Sequence, residues 1–133
     1  MTYYLKLYGV TLGAFLALDM LWLGGIARPF YQKQLGFLLA PETNRLAALL
    51  FYLLFVVGLL VFVVVPGLEA ASLRATLLRA ALFGLVTYAA YDLTNHATVQ
   101  NWPVAVTVVD MLWGTVLSTV VSGIGYTVGS LWR

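Results

Sequence analysis

Apolar residues form four long stretches along the chain, and each is about as long as a helix that crosses a bilayer. They cover residues of about 3–26, 46–65, 76–98 and 104–128. A transmembrane helix needs about 20 mainly apolar residues, so the pattern predicts four spans with short connections. The predicted fold class is therefore all-α, an integral membrane four-helix bundle, with residues 1–133 in a single transmembrane domain.

The connections between these stretches have a different pattern of residues. Residues 28–45 mix charged side chains with apolar and aromatic ones, which excludes a span and is typical of an amphipathic segment at the membrane interface. Pro66 and Gly67 are predicted to end the second span, because proline removes a backbone donor. Trp102 and Pro103 are predicted to lie in a tight turn before the fourth span.

The composition supports residence in a membrane and excludes other classes of protein. The chain is 62% hydrophobic and only 9% charged, whereas a soluble domain carries about 25% charged residues. We therefore expect membrane lipids as partners and a multi-pass location in the inner (plasma) membrane. The seven basic residues form no basic stripe, which argues against nucleic-acid binding. The absence of cysteine excludes disulfides and thiolate nucleophiles.

Three of the five acidic residues lie inside the apolar stretches, where a charge is costly. They are Asp19, Asp92 and Asp110. Ionisable residues at membrane depth are functional-site hypotheses, because burying the charge has to be compensated. Each lies six or seven residues from the same predicted membrane face, or roughly 9–11 Å inside it. The sequence thus predicts a layer of carboxyl groups from the first, third and fourth spans, to which the second span contributes nothing.

No basic residue falls in this layer, so the acids need a proton, a bound cation, water or hydrogen-bond donors. Side chains three or four residues apart on a helix are neighbours. The donors predicted in this way are Trp22 for Asp19, Asn95 and Tyr88 for Asp92, and Trp113 for Asp110. Thr94 adds a hydroxyl group, and His96 lies between the layer and the nearer face, where a histidine could relay protons.

Two local patterns concern packing between helices. Asp19-Met20-Leu21-Trp22 reappears as Asp110-Met111-Leu112-Trp113. The other spans show no comparable match, so we interpret the echo as two helices with one packing role. Gly9, Gly13 and Ala17 recur every fourth residue, and small residues at that spacing let another helix approach closely.

Several segments together resemble a family of small bacterial membrane proteins with four helices. The resemblance covers nearly the whole chain, and its most specific parts are Tyr91-Asp92-Leu93-Thr94-Asn95 and Trp102-Pro103. The family is known only as a domain of unknown function. The resemblance therefore implies the four-helix fold and no substrate.

Three hypotheses about function follow from these residues. The first is a transport or binding protein, expected as a homodimer because the chain is small. Its carboxyl layer would hold a proton, a metal ion or a cationic or amphipathic solute, so the expected ligand is a small cation or a lipid-like molecule. The second is an intramembrane enzyme acting on a lipid or isoprenoid, with carboxyl groups and His96 in acid–base or metal chemistry. The third is an accessory subunit in which the aspartates only join helices. The sequence specifies neither a metal nor a cofactor.

Overall fold

Four long helices and one short helix make up the protein. A computed structural model describes residues 1–133. The elements are α1 (Thr2–Ile26), α2 (Arg28–Leu35), α3 (Arg45–Glu69), α4 (Leu73–Thr98) and α5 (Val104–Trp132). All except α2 are long and apolar enough to cross a membrane, and the chain contains no strand. The predicted all-α fold with four membrane helices is confirmed.

Two of the long helices, α3 and α4, begin at residues whose side chains accept hydrogen bonds from the free backbone N–H groups of the first turn. The side chain of Asn44 accepts a hydrogen bond from Ala47 N (3.1 Å), and that of Ser72 accepts one from Ala75 N (3.0 Å). Such N-caps stabilise a helix by about 1 kcal/mol. The Ser72 cap starts α4 at Leu73, three residues before the start expected from hydropathy.

Pro66 does not end the second span, contrary to the expectation from the sequence. The helix continues to Glu69 after a π-helical stretch, Leu60–Val64. The wider π turn has already shifted the backbone hydrogen-bond register, so the missing N–H of Pro66 falls where the helix is irregular. The chain turns only at Ala71, whose φ of 51° is left-handed.

The core of the bundle lies where α4 and α5 pack along most of their length. Gly84 permits this approach, because a Cβ atom there would lie 2.3 Å from the carbonyl oxygen of Gly114. A cluster of buried apolar side chains from α1 and α3 to α5 surrounds the contact. Its members are Phe15, Phe55, Val56, Leu59, Val63, Ala80, Leu117 and Val121.

The outer surface of the bundle is apolar, as contact with lipid requires. Leu54 is 72% exposed, and Leu78, Leu82 and Leu112 are also exposed along the spans. Large exposed apolar faces are not stable in water, so these side chains contact membrane lipids. Gly13, like Gly9, has no neighbouring atom within 4 Å of an added Cβ. At Gly9 and Gly13, therefore, no other helix of this chain packs closely against α1.

Candidate functional site

The two helices that carry the repeated Asp-Met-Leu-Trp segment are linked crosswise. The indole N–H of Trp113 donates to Asp19 Oδ1 (3.1 Å), and the rings of Trp22 and Trp113 stack with centroids 4.4 Å apart. Trp113 therefore serves the aspartate of the other helix. The sequence expectation, in which each tryptophan donates to the aspartate three residues before it, is wrong, because the indoles project between α1 and α5.

Tyr31 of α2 completes the second half of this arrangement. Trp22 Nε1 donates to the Tyr31 hydroxyl (3.2 Å), which donates to Asp110 Oδ1 (2.8 Å). Burial, and then the adjacent Asp110 carboxylate, raise the pKa of Tyr31 above its usual range. The hydroxyl consequently stays protonated and remains a donor to Asp110. The short helix α2 thus closes the end of the bundle over the carboxyl groups.

Asp92 is the most isolated of the three acids. Its side chain is 0% exposed, and neither carboxyl oxygen has a hydrogen-bond donor. The carboxyl group of Asp110 lies within hydrogen-bonding reach, but a bond between the two groups requires a proton on one of them. Asn95 and Tyr88, the donors predicted from helical spacing, do not reach Asp92.

No positive charge compensates these carboxyl groups. All seven basic residues are exposed, whereas Asp19 is 4% exposed and Asp110 is partly buried. The donors to Asp19 and Asp110 are neutral aromatic side chains. No group of three or more His, Asp or Glu side chains has a geometry that could hold a metal ion. The cluster therefore carries a negative potential inside an apolar bundle.

A cavity of about 380 Å³ adjoins the cluster. It lies between the first half of α3 and α4, because α3 meets α4 mainly from Phe55 onward. Both Asp19 and Asp110 line it. Around them the wall is mainly aromatic and apolar, with lining side chains Leu23, Ala48, Phe51, Tyr52, Phe55, Thr87, Tyr88, Tyr91 and Trp113.

The second span contributes to this cavity, which corrects the expectation that it supplies nothing. Phe51 and Tyr52 form part of the wall, and the Tyr52 hydroxyl faces Asp19. Tyr52 lies seven residues after the start of α3 at Arg45, or about 10 Å along the helix. Converting residue position into membrane depth, as was done for the aspartates, would also have placed the Tyr52 hydroxyl near the carboxyl groups.

His96 belongs to a separate polar group nearer the end of the bundle. Thr107 Oγ1 accepts from Trp102 Nε1 (3.0 Å) and lies 3.0 Å from His96 Nδ1. Because Thr107 accepts from the indole, its own proton can go to Nδ1, which favours the histidine tautomer protonated on Nε2. His96 therefore bonds to a hydroxyl and not to a carboxyl group, contrary to the expected relay contact.

Thr94 lies away from the carboxyl cluster. It is exposed, and its hydroxyl donates to the backbone carbonyls of Ala90 and Tyr91 within its own helix. Threonine commonly bonds backward in this way, so a hydroxyl near an acid in sequence need not reach it. Thr94 is thus the predicted site residue that the structure separates most clearly from the others.

The hydrogen bond from Tyr31 to Asp110 is the site contact that the sequence least predicts. The sequence pattern predicts an interfacial segment here, but α2 also packs inward, with Leu35 buried against Trp102 and Val106. One feature of the sequence could have indicated this contact: Tyr31 carries a hydroxyl group and follows shortly after the end of α1, close to the depth of the acids. Hydropathy alone did not reveal that this segment folds back over the bundle.

These features define a multi-pass, four-helix membrane protein with buried acids at one end. The family described as "Predicted membrane protein (DUF2177)" matches residues 4–127. The chain therefore belongs to this family of predicted membrane proteins, whose function is unknown. No curated protein and no solved structure matches the chain.

Proposed function

We propose that this protein binds an organic cation with an apolar or aromatic body, as the binding step of transport across the inner membrane. The observation that carries the proposal is an aromatic cavity lined by Asp19 and Asp110, with no basic side chain bonded to either carboxyl group. A cation would supply the missing positive charge, and its body would fill the apolar wall.

The lining of the cavity favours an organic cation over a metal ion. Hard metal ions need several oxygen ligands at fixed distances, and no suitable cluster of three acidic or histidine side chains is present. Aromatic faces, in contrast, attract organic cations by about 0.5–2 kcal/mol each. Tyr52, Tyr88 and Trp113 provide such faces beside the carboxyl groups.

The position of the cavity suggests that the ligand enters from the lipid. Tyr91 on α4 is 56% exposed, and Phe51 on α3 is also exposed, although both line the cavity. A ligand dissolved in the bilayer would reach the carboxyl groups between these two helices. The homodimer expected from the sequence stays a prediction.

Binding can be tested on protein in lipid nanodiscs with benzyltrimethylammonium and its uncharged isostere, neopentylbenzene. We expect saturable binding of the cation alone. Asp19→Asn and Asp110→Asn should each weaken it about tenfold, or about 1.4 kcal/mol, because each removes a charge from the wall. Glu69→Gln, which changes an exposed carboxylate, should bind as the unmodified protein does. Equal saturable binding of the neutral compound, or no loss in the two aspartate variants, would contradict the proposal.

A further inference from the structure

We propose that Asp92 and Asp110 form a proton-binding site, and that a cation entering the cavity expels its proton. This inference rests on the proposed function for the cation and extends it to cation–proton exchange. The proton site itself depends only on the geometry of the two aspartates. The two parts can therefore be tested separately.

Asp92 lies in surroundings that disfavour a negative charge. Its carboxyl group has no exposed surface and no hydrogen-bond donor, and the carboxyl group of Asp110 lies within hydrogen-bonding reach. An ionised carboxylate in such a place costs several kcal/mol, and two carboxylates in contact repel each other. A single proton between the groups removes both penalties, since a protonated carboxyl group is a donor.

Within the pair, the two carboxyl groups differ in the hydrogen bonds they accept. Asp110 already accepts a hydrogen bond from Tyr31, which stabilises its ionised form. Asp92 accepts none, so the proton resides on Asp92. The protonated Asp92 then donates a hydrogen bond to the Asp110 carboxylate. Asp110 then faces the cavity as a carboxylate. Because the groups interact strongly, the proton titrates as a property of the pair.

A cation bound in the cavity changes the proton affinity of the pair. When a monovalent cation enters beside Asp110, the pair with its proton gains one positive charge. Loss of the proton from Asp92 restores the original net charge: one positive charge enters the site and one leaves. The cation favours this loss, because a nearby positive charge stabilises the ionised form of a carboxyl group.

The other ionisable groups around the pair are few. Asp19 on α1 is held by the Trp113 indole, and His96 on α4 bonds to Thr107. The remaining groups are tyrosines, which are neutral below about pH 10. They are Tyr31 on α2, Tyr52 on α3, and Tyr88 and Tyr91 on α4. None of these groups carries a positive charge that could replace the proton between Asp92 and Asp110.

Infrared spectroscopy of the protein without added cation tests the proton site alone. We expect a protonated carboxyl C=O band at neutral pH that shifts in deuterium oxide. Asp92→Asn should remove it, and Glu69→Gln should leave it in place. Thermal unfolding of Asp92→Asn establishes that the variant is folded, and Asp110→Asn provides a second variant that breaks the pair. A spectrum without such a band, or a band that persists in both variants, would overturn the inference.

Titration with benzyltrimethylammonium in weak buffer containing a pH-sensitive dye tests the exchange. We expect about one proton released per cation bound, and an affinity that falls about tenfold per pH unit on the acid side of the pair's titration. In Asp92→Asn, release should cease and the affinity should become independent of pH. Binding without release, at an affinity that does not vary with pH, would overturn the exchange. An infrared band without cation binding at any pH would instead refute the proposed function and retain the proton site.

Discussion

The two ends of the bundle are built in different ways. At the end opposite α2, the helices are joined by small residues: Gly125 fits against Thr11, and the Tyr3 hydroxyl donates to the Gly129 carbonyl at 2.8 Å. At the end near α2, the helices are joined by hydrogen bonds between large side chains around a cavity. Helix packing at the first end depends mainly on the small volume of the glycine residues. Helix packing at the second end depends on the direction of hydrogen bonds between polar side chains.

This difference separates stability from the candidate function. Close backbone contacts give many weak attractions and no room for a ligand. The polar end contains a cavity and the buried carboxyl group of Asp92, which has no hydrogen-bond donor. It also contains the π-helical turn Trp22–Ile26 at the end of α1, and such turns are frequent at functional sites. We therefore expect packing changes to act mainly on folding, and changes at the polar end to act also on binding.

The largest expected effect comes from Gly84→Ala in the packed part of the bundle. The new methyl group would lie 2.3 Å from Gly114 O and 2.6 Å from Ser118 Oγ, and backbone cannot yield as a side-chain tip can. Overpacking of this kind costs about 3 kcal/mol. The measurement is thermal unfolding in detergent, followed by circular dichroism at a helix wavelength.

Gly13→Ala is the matched control for that substitution. An added Cβ there meets nothing within 4 Å, and alanine is the better helix former. Its unfolding temperature should be unchanged or slightly higher. If Gly84→Ala were as stable as Gly13→Ala, the packed part of the bundle would not depend on close backbone approach.

A smaller effect is expected when the crosswise bonds at the polar end are cut. Trp113→Phe removes the donor to Asp19 and should destabilise the protein by about 2 kcal/mol, the value of a hydrogen bond to a charged group. Trp22→Phe removes a bond to the neutral Tyr31 hydroxyl and should cost about 1 kcal/mol. Both can be compared by chemical unfolding in mixed micelles.

The order of these two variants tests the assignment of the bonds. If each tryptophan served the aspartate of its own helix, then Trp22→Phe would remove the donor to Asp19 and would cost as much as Trp113→Phe. Equal losses would therefore contradict the crosswise arrangement. Trp113→Phe should also weaken binding of benzyltrimethylammonium, because Trp113 lines the cavity, whereas Trp22 is not part of its wall.

The sequence predicts the membrane helices well, because a span is set by hydropathy and length. It also identifies the acids at one end, since a rise of about 1.5 Å per residue converts position into depth. It does not predict which helix a side chain faces, and for this reason the predicted hydrogen-bond donors are wrong. Trp113 and Asp19 are 94 residues apart, and only the packing of α1 against α5 brings them together.

The short elements were the hardest to predict. The role of Tyr31 depends on α2 folding back over the bundle, and that position is fixed by burial of Leu35 against Trp102, a contact between two connections. The continuation of α3 past Pro66 depends on the preceding π-helical stretch. Local hydropathy predicts neither feature, because the position of α2 arises from tertiary packing and the continuation of α3 from irregular backbone.

The smallest expected effect comes from substitutions of His96. They test whether the residues that bind the cation and the proton include His96. His96→Asn keeps a polar atom near the position of Nδ1 and can retain the bond to Thr107. His96→Ala removes that bond and should cost about 1 kcal/mol, because Thr107 still accepts from Trp102. Chemical unfolding in mixed micelles measures both variants.

The same two variants should leave cation affinity and proton release unchanged, because His96 bonds to neither member of the Asp92–Asp110 pair. A dye titration on each variant measures this directly. Loss of proton release in both would show that the proton leaves through His96, and the carboxyl pair would then need the histidine as its outlet. Loss in neither places the outlet on the cavity side, where Asp110 faces the entering cation.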